Sequence, residues 1–428
     1  MTLLTSRRLG LLREHDFRQL WTADLISQLG TRTALLAMPL LAVVTLHAST
    51  FETALLTAAG TAGSLLFGLP AGAWLDRIRS RPVLIVTDLA RTCLLLSIPV
   101  ASLLGAVSMP QLYAVAFVAS VCTVFFNIGQ MTYVARLLRP ERLVEANTKL
   151  ASNASVAAVA GSAVGGWVVQ VLTAPIAIAV DALSYLLSAL GLVRIRAAEP
   201  PIEPPIEPPI EPPIEPAPRH LGREIADGLR FVGGHPVLRA LGLNIAIWVL
   251  FQGADNGIMI VFLVREVHLN AATIGLLGTI GLIGALLATA ATGRITARIG
   301  EARTILLAGF VAAAAFLCYP LTGPGWSLGW FVLAGFLAAF AIVASNIVQT
   351  SYRQRLTPAH LQGRAGSVMT MLSWGMLPAG SVLGGAVASL LDLRTTLFVN
   401  GVGVALSVLP LLLSPLRSAA TKASVDHE

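Results

Sequence analysis

Twelve stretches of the chain stay apolar for the roughly 20 residues that a helix needs to cross about 30 Å of hydrocarbon. They run over Phe17–Leu46, Thr53–Leu75, Val83–Leu104, Gln111–Ala135, Ala146–Leu172, Pro175–Val193, Val237–Val264, Ala271–Ile295, Ala302–Leu321, Leu328–Tyr352, Gly363–Leu391 and Thr395–Leu413. None alternates polar and apolar residues with the period of two that a barrel strand requires, so the pattern predicts helices throughout. Between the sixth and seventh runs the pattern breaks. Glu199 to Pro218 reads EPPIEPPIEPPIEPPIEPAP. Proline lacks the amide donor and fixes φ, so this stretch is expected as an extended polyproline II spacer of about 3.1 Å per residue. The expected division is an N-terminal six-helix bundle over 1–195, a cytoplasmic linker over 196–236, a C-terminal six-helix bundle over 237–416 and a cytoplasmic tail over 417–428. The linker ends in a predicted amphipathic helix, His220–Gly233, with Leu221, Ile225, Leu229 and Val232 on one side. It is placed on the membrane surface with its arginines toward anionic lipid.

Composition agrees with a polytopic membrane protein. Hydrophobic residues make up 55% of the 428 and charged residues only 12%, against about 25% charged in soluble proteins. The net charge of +7 would suggest a nucleic-acid partner in a soluble chain. Here the basic residues crowd on one side of the predicted membrane instead. Of the 29 lysines and arginines, 25 lie at the termini and in the even-numbered connections, and only Arg265 and Arg394 lie in the odd-numbered ones. Arg32 and Arg91 fall inside spans. The positive-inside rule then places both termini and the linker in the cytoplasm, with the chain crossing the plasma membrane many times. No removable signal peptide is expected.

Several chemistries are not expected. Cys93, Cys122 and Cys318 lie in apolar runs and read as small buried hydrophobes, and no metal-ligand spacing accompanies them. Lys149 and Lys422 are the only lysines and neither stands in a phosphate-binding loop, which excludes an ATP-driven pump. The seven histidines are scattered, so no catalytic cluster is predicted, and no enzyme activity, metal or cofactor.

The two halves repeat. Gly161–Val168 (GSAVGGWV) matches Gly380–Val387 (GSVLGGAV) and Val180–Leu190 matches Val399–Leu409, both at an offset of 219 residues. Arg136–Leu143 aligns with Arg353–Leu361, and Gly72–Arg81 with Gly293–Arg303. Six helices repeated with the same hydropathy and loop charge predict a pseudo-twofold pair of bundles.

Three stretches carry a resemblance to a known family. Gly72-x-x-x-Asp76-Arg77, in the loop after the second span, resembles the Gly-x-x-x-Asp-Arg-x-Gly-Arg-Arg loop of the major facilitator superfamily, with Arg79 and Ser80 departing from it. The second copy keeps Gly293, Arg298 and Gly300 but has Ala297 for the acid. Arg230–Leu241 and Asp181–Tyr185 are similar to segments of the small-molecule exporters grouped with the enterobactin exporter and the macrolide efflux pumps. Ala157-x-x-x-Gly161-Ser162-x-x-Gly165-Gly166 resembles the antiporter pattern, with Ser162 in place of its proline. The resemblance implies the major facilitator fold and a gating loop built from Gly72, Asp76, Arg77, Arg81, Gly293 and Arg298. It also implies a cavity lined by spans one, four, seven and ten. On that basis Gln28, Asn127, Gln130, Gln252, Asn256, Asn346 and Gln349 are the substrate candidates. Hydrogen bonding between helices is their alternative use. Monomer is the expected state.

Charges inside the membrane are costly and by default face the protein interior. Asp24, Arg32, Asp88, Arg91, Asp181 and Asp255 are the residues in question. Asp88 and Arg91 are three apart on one helical face, which predicts a local ion pair. Asp181 and Asp255, with Arg32 and Asp24, are the coupling candidates. Asp24 could still be interfacial, and Arg32 faces a cavity, a partner carboxylate or an interface. Gly161, Gly165, Gly166, Gly380, Gly384 and Gly385 are expected to let helices pack closely. The function expected is secondary active export of an amphipathic small molecule (drug, antibiotic, siderophore or metabolite) by alternating access and proton antiport. Uptake through the same fold, or a non-transporting sensor, stands as the alternative.

Overall fold

The structure, a computed structural model, describes residues 10–75, 77–197, 199, 221–358 and 361–416. Every predicted run is helical, and no strand occurs among the described residues. The long helices are α1 (His15–Leu40), α2 (Thr50–Leu75), α3 (Ser80–Leu103), α4 (Met109–Leu137), α5 (Leu143–Leu172) and α6 (Ala174–Val193), then α7 (Pro236–Arg265), α8 (Ala271–Ile299), α9 (Glu301–Cys318), α10 (Leu328–Leu356), α11 (Gln362–Leu390) and α12 (Leu393–Leu406). Eleven of them, with their short extensions, are long and apolar enough to cross a membrane. The remaining one, α2, has 26 residues, or about 39 Å at 1.5 Å per residue.

Local chemistry sets the ends. Prolines open α4, α6 and α7, where a missing amide hydrogen costs nothing. At α2, Ser49 and Glu52 cap each other, the Ser49 amide donating to the glutamate and the Glu52 amide to the serine hydroxyl. Asp392 caps α12 by accepting from the Thr395 amide and hydroxyl at 2.8 and 2.7 Å. Pro39 deletes one bond of the α1 ladder, and Leu41–Thr45 continue with the wider π winding. Gly300, at φ 80°, turns α8 into α9 with a single residue.

The chain divides into two compact units, Met1–Pro204 with Leu269–Thr279 and Pro205–His268 with Ile280–Glu428. In the first, α1 packs against α5 and α6, α3 against α4 and α6, and α2 against α4. In the second, α7 packs against α11 and α12, and α9 against α10 and α12. Four of the five pairs in the first unit recur at equivalent positions in the second, so the sequence repeat is also a repeat of packing. Large apolar side chains such as Leu103, Leu390 and Leu413 are more than four-fifths exposed, the surface expected of helices solvated by lipid.

Two expectations are corrected. The cysteines are not buried: Cys93 is exposed, Cys122 and Cys318 are half-buried, and all three are free thiols. The amphipathic helix forms over Leu221–Gly234, but its end docks on protein. Val232, buried, packs with Phe231 against Leu238, Ala365, Val368 and Met369 of α7 and α11, while Leu229 stays exposed. Asp76, expected in a gating loop, and the Pro-Pro-Ile-Glu repeat beyond Glu199 lie outside the described residues.

Candidate functional site

Polar chemistry inside the first unit gathers at two depths along α1. Nearer its start, Asp24 is 4% exposed and accepts three side-chain amides at 2.8 Å each: Gln28 from its own helix, Gln130 from α4 and Asn153 from α5. Asn153 also donates to the Trp21 carbonyl. Asp24 is therefore a buried anchor tying three helices together. Gln28 and Gln130, two of the predicted lining residues, are turned toward it.

Deeper along the unit, Asp88 and Arg91 of α3 form the predicted ion pair, both almost fully buried. The guanidinium lies between two rings, 4.6 Å from the Phe126 centroid and 4.1 Å from that of Tyr185. Tyr185 of α6 shares a 2.7 Å hydrogen bond with Thr31 of α1. One turn earlier on α6, Asp181 accepts from Ser184 at 3.2 Å. Gly30 of α1 faces this pair so closely that a Cβ there would strike the Asp181 carboxylate and the Ser184 hydroxyl. One Asp88 oxygen and the Arg91 Nε have no partner among the described residues.

The second unit repeats the scheme in altered residues. Gln349 of α10 stands 219 positions after Gln130 and donates to Asn244 of α7 at 3.1 Å, and Asn244 in turn donates to the Ser407 carbonyl at 2.8 Å. An amide thus takes the role that the Asp24 carboxylate has in the first unit. Asp255 of α7, 4% exposed, accepts from Asn400 at 2.8 Å, and its second oxygen has no partner among the described residues. Asn400 is the repeat counterpart of Asp181, so the acid that stands outside an ion pair lies on α6 in one unit and on α7 in the other. Gly30 against Ser184 becomes Phe251 against Gly403, with large and small residues exchanged between the helices.

Other candidates point outward from their units. Arg32, Asn127, Asn256 and Asn346 are exposed and Gln252 is half-buried. The packing glycines work as expected of small residues. A Cβ at Gly161 would meet the Arg32 stem, at Gly165 the Thr33 backbone, at Gly380 the Leu250 carbonyl and at Gly384 the Ala254 backbone. Gly385 is buried. Within the first unit Gly166 lies against Gly275.

The residues expected to form a gating loop separate. Beyond the adjoining residues of its own helix, no described atom lies within 4 Å of where a Cβ would stand at Gly72 or Gly293, so no neighbouring helix requires either glycine in this structure. Arg77 and Arg298 are exposed. Arg81 instead holds the end of α6, donating to the carbonyls of Leu192, Val193 and Ile195 at 2.7–3.2 Å. Asp16 accepts the next two amides, Arg196 and Ala197, at 2.9 Å. Glu199 completes this clamp by accepting from the Ser80 and Arg81 amides and from Arg136 at 2.8–3.1 Å. Burial alone would push its carboxyl up, but those three donors outweigh it and hold it below the ordinary glutamate value. Among the described residues, no three His, Cys, Asp or Glu side chains gather as a metal site would need.

Sequence spacing alone does not reveal Asn153, Asn244 or Ser407. A signal was nonetheless present: Asn127-Ile128-x-Gln130-x-x-Tyr133 recurs as Asn346-Ile347-x-Gln349-x-x-Tyr352 at the same offset of 219. In both copies the glutamine faces its own unit and the asparagine faces out.

Known proteins share this architecture. A nucleoside transporter, NupG, superposes with a TM-score of 0.76 over 92% of this chain and 98% of its own, at 11% identity. A bacterial homologue of the iron transporter ferroportin, in an inward-facing state, gives 0.72 over 94% and 98%, at 16% identity. In sequence, the MFS-type transporter y4rN of Sinorhizobium fredii, itself uncharacterized, is 25% identical over 375 residues, 85% of this chain and 86% of its own. YwtG of Bacillus subtilis is 32% identical over 147 residues, which is 31% of each chain. The family model described as transmembrane secretion effector matches residues 7–428. The chain, a membrane transporter of the major facilitator type, belongs to the transmembrane secretion effector family.

Proposed function

We propose that this transporter exports amphipathic small molecules (drug, antibiotic, siderophore or metabolite) from the cytoplasm in exchange for protons. It works by alternating access in the plasma membrane, as a monomer with both termini cytoplasmic. The observation that carries the coupling is the pair of acids at equivalent layers, Asp181 in one unit and Asp255 in the other. Each is at most 4% exposed. Neither forms an ion pair with a described cation within 4.0 Å, and their hydrogen bonds come from Ser184 and Asn400. A carboxyl so placed exchanges a proton without breaking a salt bridge. Asp24 differs, because three side-chain amides from three helices already occupy its oxygens. Asp24 is therefore assigned to positioning and Asp181 and Asp255 to proton transfer. The outward direction is supported by the resemblance of Asp181–Tyr185 and Arg230–Leu241 to the small-molecule exporters.

The test uses inside-out vesicles with an imposed pH gradient and a panel of amphipathic dyes, macrolides and siderophores. Accumulation that collapses with an uncoupler is expected. Asp255→Asn and Asp181→Asn are expected to lose gradient-driven accumulation while retaining substrate binding. Full accumulation in both variants would remove the acids from the coupling, and accumulation only in right-side-out vesicles would reverse the direction.

A further inference from the structure

α1 and its π continuation span His15–Thr45, 31 residues, and Arg32 lies about 3 Å from the midpoint along the helix axis. It is exposed, and among the described residues no carboxylate pairs with it. The other arginine at comparable depth in this unit, Arg91, is sealed between Asp88, Phe126 and Tyr185. The Asp24 carboxylate, two turns below, is occupied by three amides. No internal anion is therefore assigned to Arg32. A bare guanidinium at mid-bilayer depth is strongly unfavourable against lipid and belongs on a wet path through the protein.

The arginine is also positioned. A Cβ at Gly161 of α5 would stand 2.6 Å from the Arg32 Cβ and 3.0 Å from its Cγ, so the stem is seated on this glycine and the head extends beyond it. The second unit has the same glycine, Gly380, but there a Cβ would meet the Leu250 carbonyl, and no arginine stem lies on it. One unit alone carries the cation. Beside it along α1 stands Leu35, 62% exposed, an apolar neighbour for an apolar ligand body.

We infer that Arg32 is a substrate-orienting residue and that the transported molecule is an anionic amphiphile, with a carboxylate, sulfonate or phosphate group meeting the guanidinium. The guanidinium fork matches such groups through paired hydrogen bonds. This inference rests on the transporter reading and narrows its substrate class.

The test is ligand binding to the full chain in neutral phosphatidylcholine nanodiscs, corrected for empty discs. Two fluorescent probes share one aryl frame: anilinonaphthalene sulfonate, which is anionic, and N-phenylnaphthylamine, which is neutral. The wild type is expected to prefer the sulfonate. Arg32→Gln is expected to weaken the sulfonate by roughly 10-fold or more, the range of a charge-assisted hydrogen bond, and to leave the neutral probe unchanged. Arg32→Lys is expected to restore part of the loss. Equal wild-type affinity for the two probes, unchanged sulfonate binding in Arg32→Gln, or equal loss of both probes would overturn the inference. So would displacement of the sulfonate by added phosphatidylglycerol, which would make this a lipid contact. Gradient-driven accumulation of the neutral probe in Arg32→Gln vesicles judges the transporter reading separately.

Discussion

Replacing Glu199 isolates the contribution of one side chain to the clamp at the end of α6. Its carboxylate is 4% exposed and holds the Ser80 amide at 2.8 Å, the Arg81 amide at 3.1 Å and Arg136 at 2.9 Å. The two amides belong to the first turn of α3, where no carbonyl within the helix is available to them, and the positive end of the helix favours an anion there. A hydrogen bond to a charged group contributes about 1.5–3 kcal/mol. The three share one carboxylate and do not add, so Glu199→Ala should weaken the clamp by about 3 kcal/mol and Glu199→Gln, which keeps one acceptor, by about 1.5 kcal/mol. Three kcal/mol is about 150-fold in an opening equilibrium. Amide hydrogen exchange of a peptide covering residues 79–84 should accelerate by roughly that factor in Glu199→Ala, with α10 peptides unchanged. The pH dependence has a definite sign. Because the folded carboxyl lies below the ordinary glutamate value, the stabilisation is complete above about pH 4.3 and is lost as pH falls toward the folded value. Unchanged exchange at Ser80 and Arg81 in Glu199→Ala would show that the contacts contribute nothing.

Other positions yield shorter tests. Asp88→Asn leaves the Arg91 guanidinium buried without its counter-charge, and a loss of about 3–5 kcal/mol is expected in detergent unfolding. Combining it with Arg91→Met should recover most of that loss. Gly30→Ala drives a methyl into Asp181 and Ser184 and should lower the melting temperature through about 1–3 kcal/mol of overpacking. Gly72→Ala meets no described atom beyond its own helix and should leave the melting temperature of this conformation unchanged. A fall in flux with unchanged stability would then place Gly72 in another conformation of the cycle.

The spans were legible because hydrocarbon demands continuous apolar helices of a fixed minimum length, and twelve such runs stand out however their ends are drawn. The Asp88–Arg91 pair was legible because a spacing of three fixes a shared helical face. Tertiary direction was not. Gln28 and Gln130 lie on the spans expected to line a cavity, yet only the neighbours supplied by α4 and α5 show that both turn to Asp24. Asn153 and Asn244 escape notice for a related reason. A lone amide in an apolar run carries no spacing that points to its partner. The Arg81 clamp depends on the path of the chain after α6, which loop composition does not fix. Cys93 shows the limit of burial rules drawn from water-soluble proteins: on a helix long and apolar enough to cross a membrane, a small apolar side chain need not be buried inside the protein.

The most direct test of the account is substrate-evoked proton movement in liposomes holding the purified chain, followed with a trapped pH-sensitive dye and no imposed gradient. Adding a transported anionic amphiphile on the side of the Pro-Pro-Ile-Glu linker should move protons toward that side as the substrate leaves it. Asp255→Asn and Asp181→Asn should abolish the proton signal. Substrate flux with no accompanying proton movement, or an undiminished signal in both variants, would contradict the assignment of these two acids to coupling.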